Sequence, residues 1–141
     1  MKKIFFIGTL IVFSNISYAR DSVAQFSVKD LLATGKAKSA LTDIPLYFGN
    51  SKTPKVNEKY GEVTSNKKTN AFMKSDEEAC QWAMLSALKS LQQRAQKEGM
   101  NAVINIQSYY KRHEFISETK FECGAGNVMA GVTLKGTLVK I

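Results

Sequence analysis

Two cysteines, one histidine and a few carboxylates are the residues of this sequence whose types could support chemistry. Cys80, Cys123, His113 and a carboxylate such as Glu114 or Glu122 would supply the donors of a four-ligand zinc site. A cysteine and the histidine could instead form a nucleophilic pair, which requires a free thiolate and an oxyanion hole. The cysteines lack the Cys-x2-Cys spacing of common zinc and redox sites. We therefore predict no metal site, no catalytic residue and no cofactor, and keep a small cysteine-dependent hydrolase or redox enzyme as the alternative.

Three aromatic residues offer a further possibility. Trp82, Tyr109 and Tyr110 could stack on a ligand, but on a helix face and in a sheet such residues more often belong to the core or its rim. The sequence contains no Gly-x4-Gly-Lys-Ser/Thr loop that would hold nucleotide phosphates. The residues thus favour a binding protein over an enzyme.

The N-terminus has the pattern of a secretory signal. Lys2 and Lys3 precede an apolar run from Ile4 to about Ile16, and the small-x-small sequence Ser17–Ala19 follows. As a helix the apolar run would span only about 20 Å, short of a bilayer core of about 30 Å, so an uncleaved anchor is the weaker interpretation. No cysteine stands directly after the apolar run, which argues against a lipid-anchored cysteine at that position. We predict cleavage after Ala19, a periplasmic or secreted location, and no later transmembrane segment.

The chain is basic, with 20 Lys and Arg against 12 Asp and Glu and a formal net charge of +8. Outside the cytoplasm this charge suits an anionic envelope polymer, a lipid headgroup or the acidic face of an envelope protein; lysines that are simply solvated are the alternative. Nucleic acid is not an expected partner, because the lysine-rich segment 52–74 has few aromatic residues and the sequence has no recognised nucleic-acid-binding motif. The candidate contacts to an anionic partner are Lys52, Lys55, Lys59, Lys67, Lys68 and Lys74.

One long amphipathic helix is the strongest local prediction. Ser75 can cap its N-terminus in a capping box with Glu78, and Gly99 is placed to end it. Between them, small and apolar residues recur at helical spacing and define one buried stripe. The stripe consists of Cys80, Ala83, Met84, Ala87, Leu88, Leu91 and Ala95.

The sequence before this helix carries a weaker pattern. It predicts a strand at Val23–Val28, a brief helix capped by Ser27 with Gly35 at its end, and an extended piece at Leu46–Phe48. Residues 56–63 form a possible edge strand. The polar stretch that follows, Thr64–Lys68, is predicted to be an exposed turn or mobile loop.

The sequence after the helix is predicted to be β. A strand at 102–110 would place Ala102, Ile104 and Ile106 on one face. A hairpin connection at 111–118, an extended run at 119–123 and a final strand at 128–141 would follow. We therefore predict one α+β domain at residues 20–141, in which the long helix packs on an antiparallel β-sheet.

The helix–strand junction carries a family resemblance. The sequence Gly99-Met100-Asn101-Ala102-Val103, between a long helix and a strand, resembles the domain shared by YbjQ-like and RcsF-like proteins. The stretches Lys74–Cys80 and Ser108–Lys111 also resemble a group of small exported bacterial proteins, many of which carry the automatic label of an excinuclease ATPase subunit. That label has no support here, because the phosphate-binding loop of an ATPase is missing.

The resemblance implies a disulfide between the long helix and the following β region. Cys80 and Cys123 fall at the matching places, and two cysteines in an exported protein are more often bridged than free. A Cys80–Cys123 bridge would close a loop of about 42 residues, which contributes roughly 3–4 kcal/mol in the chain-entropy description. The sequence lacks the lipidated cysteine, the proline-rich linker and the second bridge of RcsF-like sensors, so the fold is expected to carry over better than the signalling role.

Overall fold

The structure, a computed structural model, describes residues 21–141; the predicted signal segment and the predicted cleavage after Ala19 lie outside the described residues. A six-stranded, curled sheet and one long helix dominate this mixed α+β fold. The elements in chain order are β1 Asp21–Ser27, α1 Val28–Leu32, α2 Gly35–Ala40, β2 Leu46–Phe48, β3 Glu58–Asn70, α3 Asp76–Lys97, β4 Ala102–Ser108, β5 Lys120–Gly126 and β6 Met129–Lys140.

Strand β6 organises the sheet. It pairs with β3 along its whole length, from Asn70 opposite Met129 to Glu58 opposite Lys140. Its other edge is shared, because β5 pairs with it near residue 130 and β4 pairs with it at 134–139. Strand β1 extends the sheet beyond β5. Strand β3 therefore forms a long edge of the sheet.

Two features of the predicted sheet are wrong. The sheet is not purely antiparallel, since the short strand β2 runs parallel to β4. Parallel neighbours need a long crossover, and here β3 and α3 lie between them in the chain. Segment 111–118 does not join β4 and β5 in a hairpin, because both strands run antiparallel to β6 and so point the same way. The chain does turn back within this region, since Ser108 forms an isolated antiparallel bridge with Phe115.

The polar stretch Thr64–Lys68 is a regular part of β3, so the predicted turn is wrong there. Its backbone pairs with β6 from Lys135 to Gly131. Only Ser65 of this stretch is buried, and the other four residues remain exposed. The backbone ladder with β6, and not an apolar pattern of its own, holds this part of the strand in place.

Helix α3 confirms the sequence prediction. The Ser75 hydroxyl accepts a hydrogen bond from the Glu78 amide at 3.1 Å, and all seven stripe residues are buried. Gly99 has a left-handed φ of 74° just beyond the helix. The helix packs across β3, β4, β5 and β6 and covers the core.

The N-terminal elements are partly as predicted. The Ser27 hydroxyl accepts from the Asp30 amide at 3.1 Å and caps α1. Gly35 does not end that helix. It begins a second short helix, α2, whose cap is the Thr34 hydroxyl accepting from the Ala37 amide at 3.2 Å.

Strand β4 presents its two faces differently from the prediction. Asn105 has a φ of 53°, and the pairing with β6 shifts between Ile104 and Gln107. This irregularity changes the side-chain alternation. As a result Val103 and Ile106 both lie under α3 beside Gly136, whereas Ile104 is only half-buried.

Candidate functional site

The two cysteines are joined in a disulfide. Cys80 lies in the second turn of α3 and Cys123 in the middle of β5, with their Cα atoms 5.9 Å apart. Both residues are fully buried beneath the helix. A bridged sulfur is not a thiolate, and a buried bridge is out of reach of a substrate thiol, so the cysteine-dependent alternative loses its nucleophile and its redox access.

The other donors of the hypothetical zinc site do not gather around the cysteines. His113 is exposed in the segment between β4 and β5. Its neighbour Glu114 accepts a hydrogen bond from the Lys135 ammonium at 2.9 Å. Within residues 21–141 no group of three or more His, Cys, Asp or Glu side chains could hold a metal ion.

Lys135 ties together the sheet face opposite α3. Besides Glu114, its ammonium lies 3.7 Å from a Glu62 carboxylate oxygen and 3.9 Å from the centre of the Tyr109 ring. The hydrogen bond to Glu114 is the main cause that raises the pKa of Lys135, with smaller contributions from both carboxylates and opposition from desolvation. These contacts link β6, β3 and the segment after β4. Lys135 therefore has a structural role.

The aromatic residues considered for stacking serve different purposes. Tyr109 is covered by Lys135, and the ring of Tyr110 packs beside Gly124 and Gly131. Both tyrosines are therefore part of the packing. Trp82 stays partly exposed on α3, with the Lys36 ammonium 5.3 Å from its ring centre.

The structure divides the six candidate lysines into two groups. Lys67, Lys68 and Lys74 lie near the end of β3 that leads into α3. Lys59 lies near the start of the same strand and thus at its opposite end, while Lys52 and Lys55 lie in the segment between β2 and β3. All six side chains are solvent-accessible. They do not form one continuous patch.

Four large apolar side chains are exposed together beside the first lysine group. Met73 is 90% exposed, Phe72 64%, Val128 62% and Met129 47%. They come together because Asn70 is paired with Met129 and the Ala71 amide donates to the Val128 carbonyl at 2.7 Å. We call residues 72–73 and 128–129 the apolar tip.

The loop that carries the apolar tip has a defined conformation. The Asn70 side chain accepts a hydrogen bond from the Phe72 amide at 2.8 Å, and the Lys74 ammonium donates to the Asn70 carbonyl at 3.1 Å. Met73 has a φ of 59°, a left-handed conformation that costs a non-glycine residue free energy. The backbone thus holds Phe72 and Met73 outward at a cost.

A groove between β3 and α3 is the second candidate. It has a volume of about 220 Å³ and lies between Val63–Ser65 on the strand and Ser90–Lys97 on the helix. The Arg94 guanidinium stands at its side, 3.1 Å from both the Tyr60 hydroxyl and a Glu98 carboxylate oxygen. The hydrogen bond to Tyr60, followed by that to Glu98, raises the pKa of Arg94.

Neither the apolar tip nor the groove was among the sequence-predicted sites. Phe72 and Met73 form an apolar pair within a polar stretch, which is a visible signal for the tip. The groove has a signal in the spacing of Ser90, Arg94 and Lys97 on one helix, although nothing in the sequence places Ser65 opposite them.

The chain matches no protein-family model, and no curated protein matches it in sequence. No helix within the described part of the chain is long and apolar enough to cross a bilayer.

Proposed function

We propose that this protein is an exported, non-enzymatic binding module of the cell envelope, and that the apolar tip is its contact surface. The observation that carries this proposal is the joint exposure of Phe72, Met73, Val128 and Met129 at one end of the sheet. Four large apolar side chains exposed on neighbouring segments are typical of an interaction site, whereas apolar residues exposed singly, such as Ile116, need no such explanation. The backbone strain at Met73 supports a functional reason for the exposure.

The partner proposed for the tip is a lipid surface. Met73 protrudes almost completely into solvent, so a flat partner could not bury it, whereas the headgroup region of a bilayer yields around an inserted side chain. Burial of a Phe or Met side chain contributes about 1.5–3 kcal/mol. Two inserted side chains would contribute about 3–6 kcal/mol, at most about as much as one myristoyl chain, so the proposed binding is weak and reversible.

Charged residues beside the apolar tip are expected to have only a small net effect on lipid binding. Lys67, Lys68 and Lys74 can reach lipid phosphates, but the acidic first turn of α3, Asp76–Glu78, follows Lys74 directly. The two sets balance in formal charge. We therefore expect vesicle binding that depends on apolar insertion and only weakly on salt, unlike binding to a soluble anionic polymer.

The position of the N-terminus agrees with this orientation. Asp21 pairs with Gly126, and Val128 follows two residues later, so the chain enters the domain at the end that bears the tip.

Flotation with phospholipid vesicles tests the proposal. Protein recovered from the periplasm or medium should float with vesicles that contain phosphatidylglycerol, and Met73→Ser should reduce the bound fraction severalfold without loss of stability. Ile116→Ser is the matched control, because Ile116 is also an exposed apolar residue but lies between β4 and β5. Equal binding by both variants, or no flotation of the unmodified protein, would exclude the tip as a lipid contact.

Export and cleavage need their own test. The intact mass of the recovered protein should correspond to a chain that starts at Arg20. The buried disulfide supports an oxidising compartment, where such bonds persist. A full-length chain held in the inner membrane would contradict the proposed localisation.

The YbjQ/RcsF-like relationship also remains a proposal. Its support is the order of the elements: a long helix, Gly99, a strand from Ala102, and a disulfide between helix and sheet. In such a relationship the sensing role would depend on partners and not on the fold alone. Affinity capture from the envelope followed by mass spectrometry would identify those partners.

A further inference from the structure

The groove between β3 and α3 is lined almost entirely by hydrogen-bond donors. Two apolar residues, Val63 and Leu91, complete the lining, and no carboxylate belongs to it. Hydroxyl, amide, guanidinium and ammonium groups can all donate to an anion. These donors belong to Ser65, Ser90, Gln93, Arg94 and Lys97; Thr64 also borders the groove, but its side chain lies on the opposite face of the sheet, with that of its partner Lys135.

The helix side of the groove is one continuous face. Ser90, Gln93, Arg94 and Lys97 are spaced so that they lie above one another along α3. This face borders the buried stripe at Leu91. The strand side contributes Ser65, so donors approach the groove from two elements.

Arg94 is held at the groove by groups on both sides. Its Nε donates to Glu98 and one Nη2 hydrogen to the Tyr60 hydroxyl, each at 3.1 Å. The guanidinium carbon also lies 5.8 Å from the centre of the Tyr60 ring. A guanidinium has five N–H donors, so most of them remain for a ligand while the group is already positioned.

Ser65 supplies the independent observation that points to a ligand. The residue is only 5% exposed, and its hydroxyl has no hydrogen-bond partner among residues 21–141. A buried hydroxyl without a partner costs free energy, and an alanine would avoid that cost. By contrast, the buried side-chain amide of Gln92 on α3 makes three hydrogen bonds. The unused donor in the groove therefore needs an explanation.

We propose that this groove binds a phosphoryl group, carried by a small polar molecule or by a lipid headgroup. A phosphomonoester has three terminal oxygens and can accept from donors on the strand and the helix at once, whereas a carboxylate has only two. Arg94 and Lys97 supply the charge, and Ser65 and Ser90 can supply neutral donors. The site does not depend on the lipid contact of the apolar tip.

Titration with inorganic phosphate and with glycerol 3-phosphate, followed by amide NMR shifts, tests the site. Both ligands should shift the amides of Thr64, Ser65 and Ser90. Lys97→Gln should weaken binding about fivefold to tenfold, because it removes a charged donor. Lys89→Gln is the control: Lys89 is exposed on α3 but does not line the groove, and its loss should leave the affinity unchanged.

Ser65→Ala separates a binding role from a structural one. If the hydroxyl serves a ligand, this variant weakens phosphate binding and is at least as stable as the unmodified protein. Reduced stability with unchanged phosphate affinity would overturn the role of Ser65. Absence of groove shifts with both ligands, or equal losses in Lys97→Gln and Lys89→Gln, would overturn the site itself.

The two sources of a phosphoryl group are distinguished by competition. Vesicles of phosphatidic acid, a phosphomonoester lipid, that displace glycerol 3-phosphate from the groove support a lipid headgroup. Bound glycerol 3-phosphate that these vesicles do not displace supports a small soluble ligand. Vesicle flotation that depends on Met73 but not on Lys97 would leave the tip proposal intact and show that the groove does not hold the headgroup.

Discussion

The ring of Tyr110 occupies the space in which a larger residue would place its side chain at Gly124. Gly124 lies in β5, and Tyr110 lies in the turn after β4, so this contact joins the segment 109–119 to the sheet face opposite α3. The same ring lies 3.8 Å from the position of a Cβ at Gly131 in β6. Two glycines therefore make room for one aromatic ring that spans two strands.

Gly124→Ala should destabilise the protein by about 1–3 kcal/mol, because the new methyl group overlaps the Tyr110 ring in a buried site. Urea unfolding measures this difference. Gly35→Ala is the control, since nothing lies within 4 Å of a Cβ at Gly35 and its φ is not positive. A Gly124→Ala variant as stable as the control would mean that Tyr110 does not pack there.

Leu88→Asp should unfold the domain. Leu88 is fully buried on the α3 stripe, and an unpaired charge there costs several kcal/mol. Lys89→Asp lies on the exposed side of the same helix and should change the unfolding free energy by less than about 1 kcal/mol. Circular dichroism during thermal unfolding compares the two variants. Similar losses in both would show that the helix buries a different face.

Removal of either cysteine should lower the unfolding free energy by about 2–5 kcal/mol. The bridge connects α3 to β5 across 43 positions of the chain, so its loss frees a long loop in the unfolded state. Denaturant unfolding of Cys123→Ala measures the effect, with Ser86→Ala as an exposed control on the same helix.

Thiol labelling checks the bridge directly. Native exported protein should not react with an alkylating reagent, because both sulfurs are bonded and buried. Peptide mapping without reductant should recover Cys80 and Cys123 in one linked peptide. Two free, reactive thiols would contradict the bridge and restore the cysteine-dependent enzyme as an alternative.

The long helix could be predicted because its determinants are local. Ser75, the apolar stripe and Gly99 lie within one segment, and each acts through neighbours a few residues away. The disulfide needed more than local information: the resemblance supplied the pairing of Cys80 with Cys123, and the structure contains it.

Strand β3 could not be predicted in full because its partner determines it. Thr64–Lys68 has no alternation of apolar and polar residues, and it is extended only because β6 supplies the backbone ladder. The register shift of β4 near Asn105 could not be predicted for the same reason. Regular alternation from Ala102 gave the wrong face for Ile104, since nothing in the residue types marks where the pairing with β6 changes.

The candidate sites were missed because each combines distant segments. Residues 72–73 and 128–129 meet only through the pairing of Asn70 with Met129. Ser65 and Arg94 share a groove only because β3 runs beside α3. The count of lysines, by contrast, grouped Lys59 with Lys68, which lie near opposite ends of β3.

Gln92 shows the same limitation and gives the last prediction. The sequence pattern puts it on the polar side of α3, yet it is buried. Its amide oxygen accepts from the Thr42 amide at 2.9 Å, and its nitrogen donates to the carbonyls of Thr42 and Ile44 at 3.1 and 2.8 Å. One side chain thus fastens the segment between α2 and β2 to the helix.

Gln92→Leu should lower the unfolding free energy by about 2–3 kcal/mol, because it leaves the backbone groups of Thr42 and Ile44 without partners. The leucine keeps a similar volume, so a loss of packing is not the main cause. Gln96→Leu, one turn further along α3 and exposed, is the control and should change stability by less than about 0.5 kcal/mol. Hydrogen exchange gives a local measure: the Thr42 amide should exchange at least tenfold faster in Gln92→Leu than in Gln96→Leu. Unchanged exchange at Thr42 would mean that the segment is held by its own backbone contacts and not by Gln92.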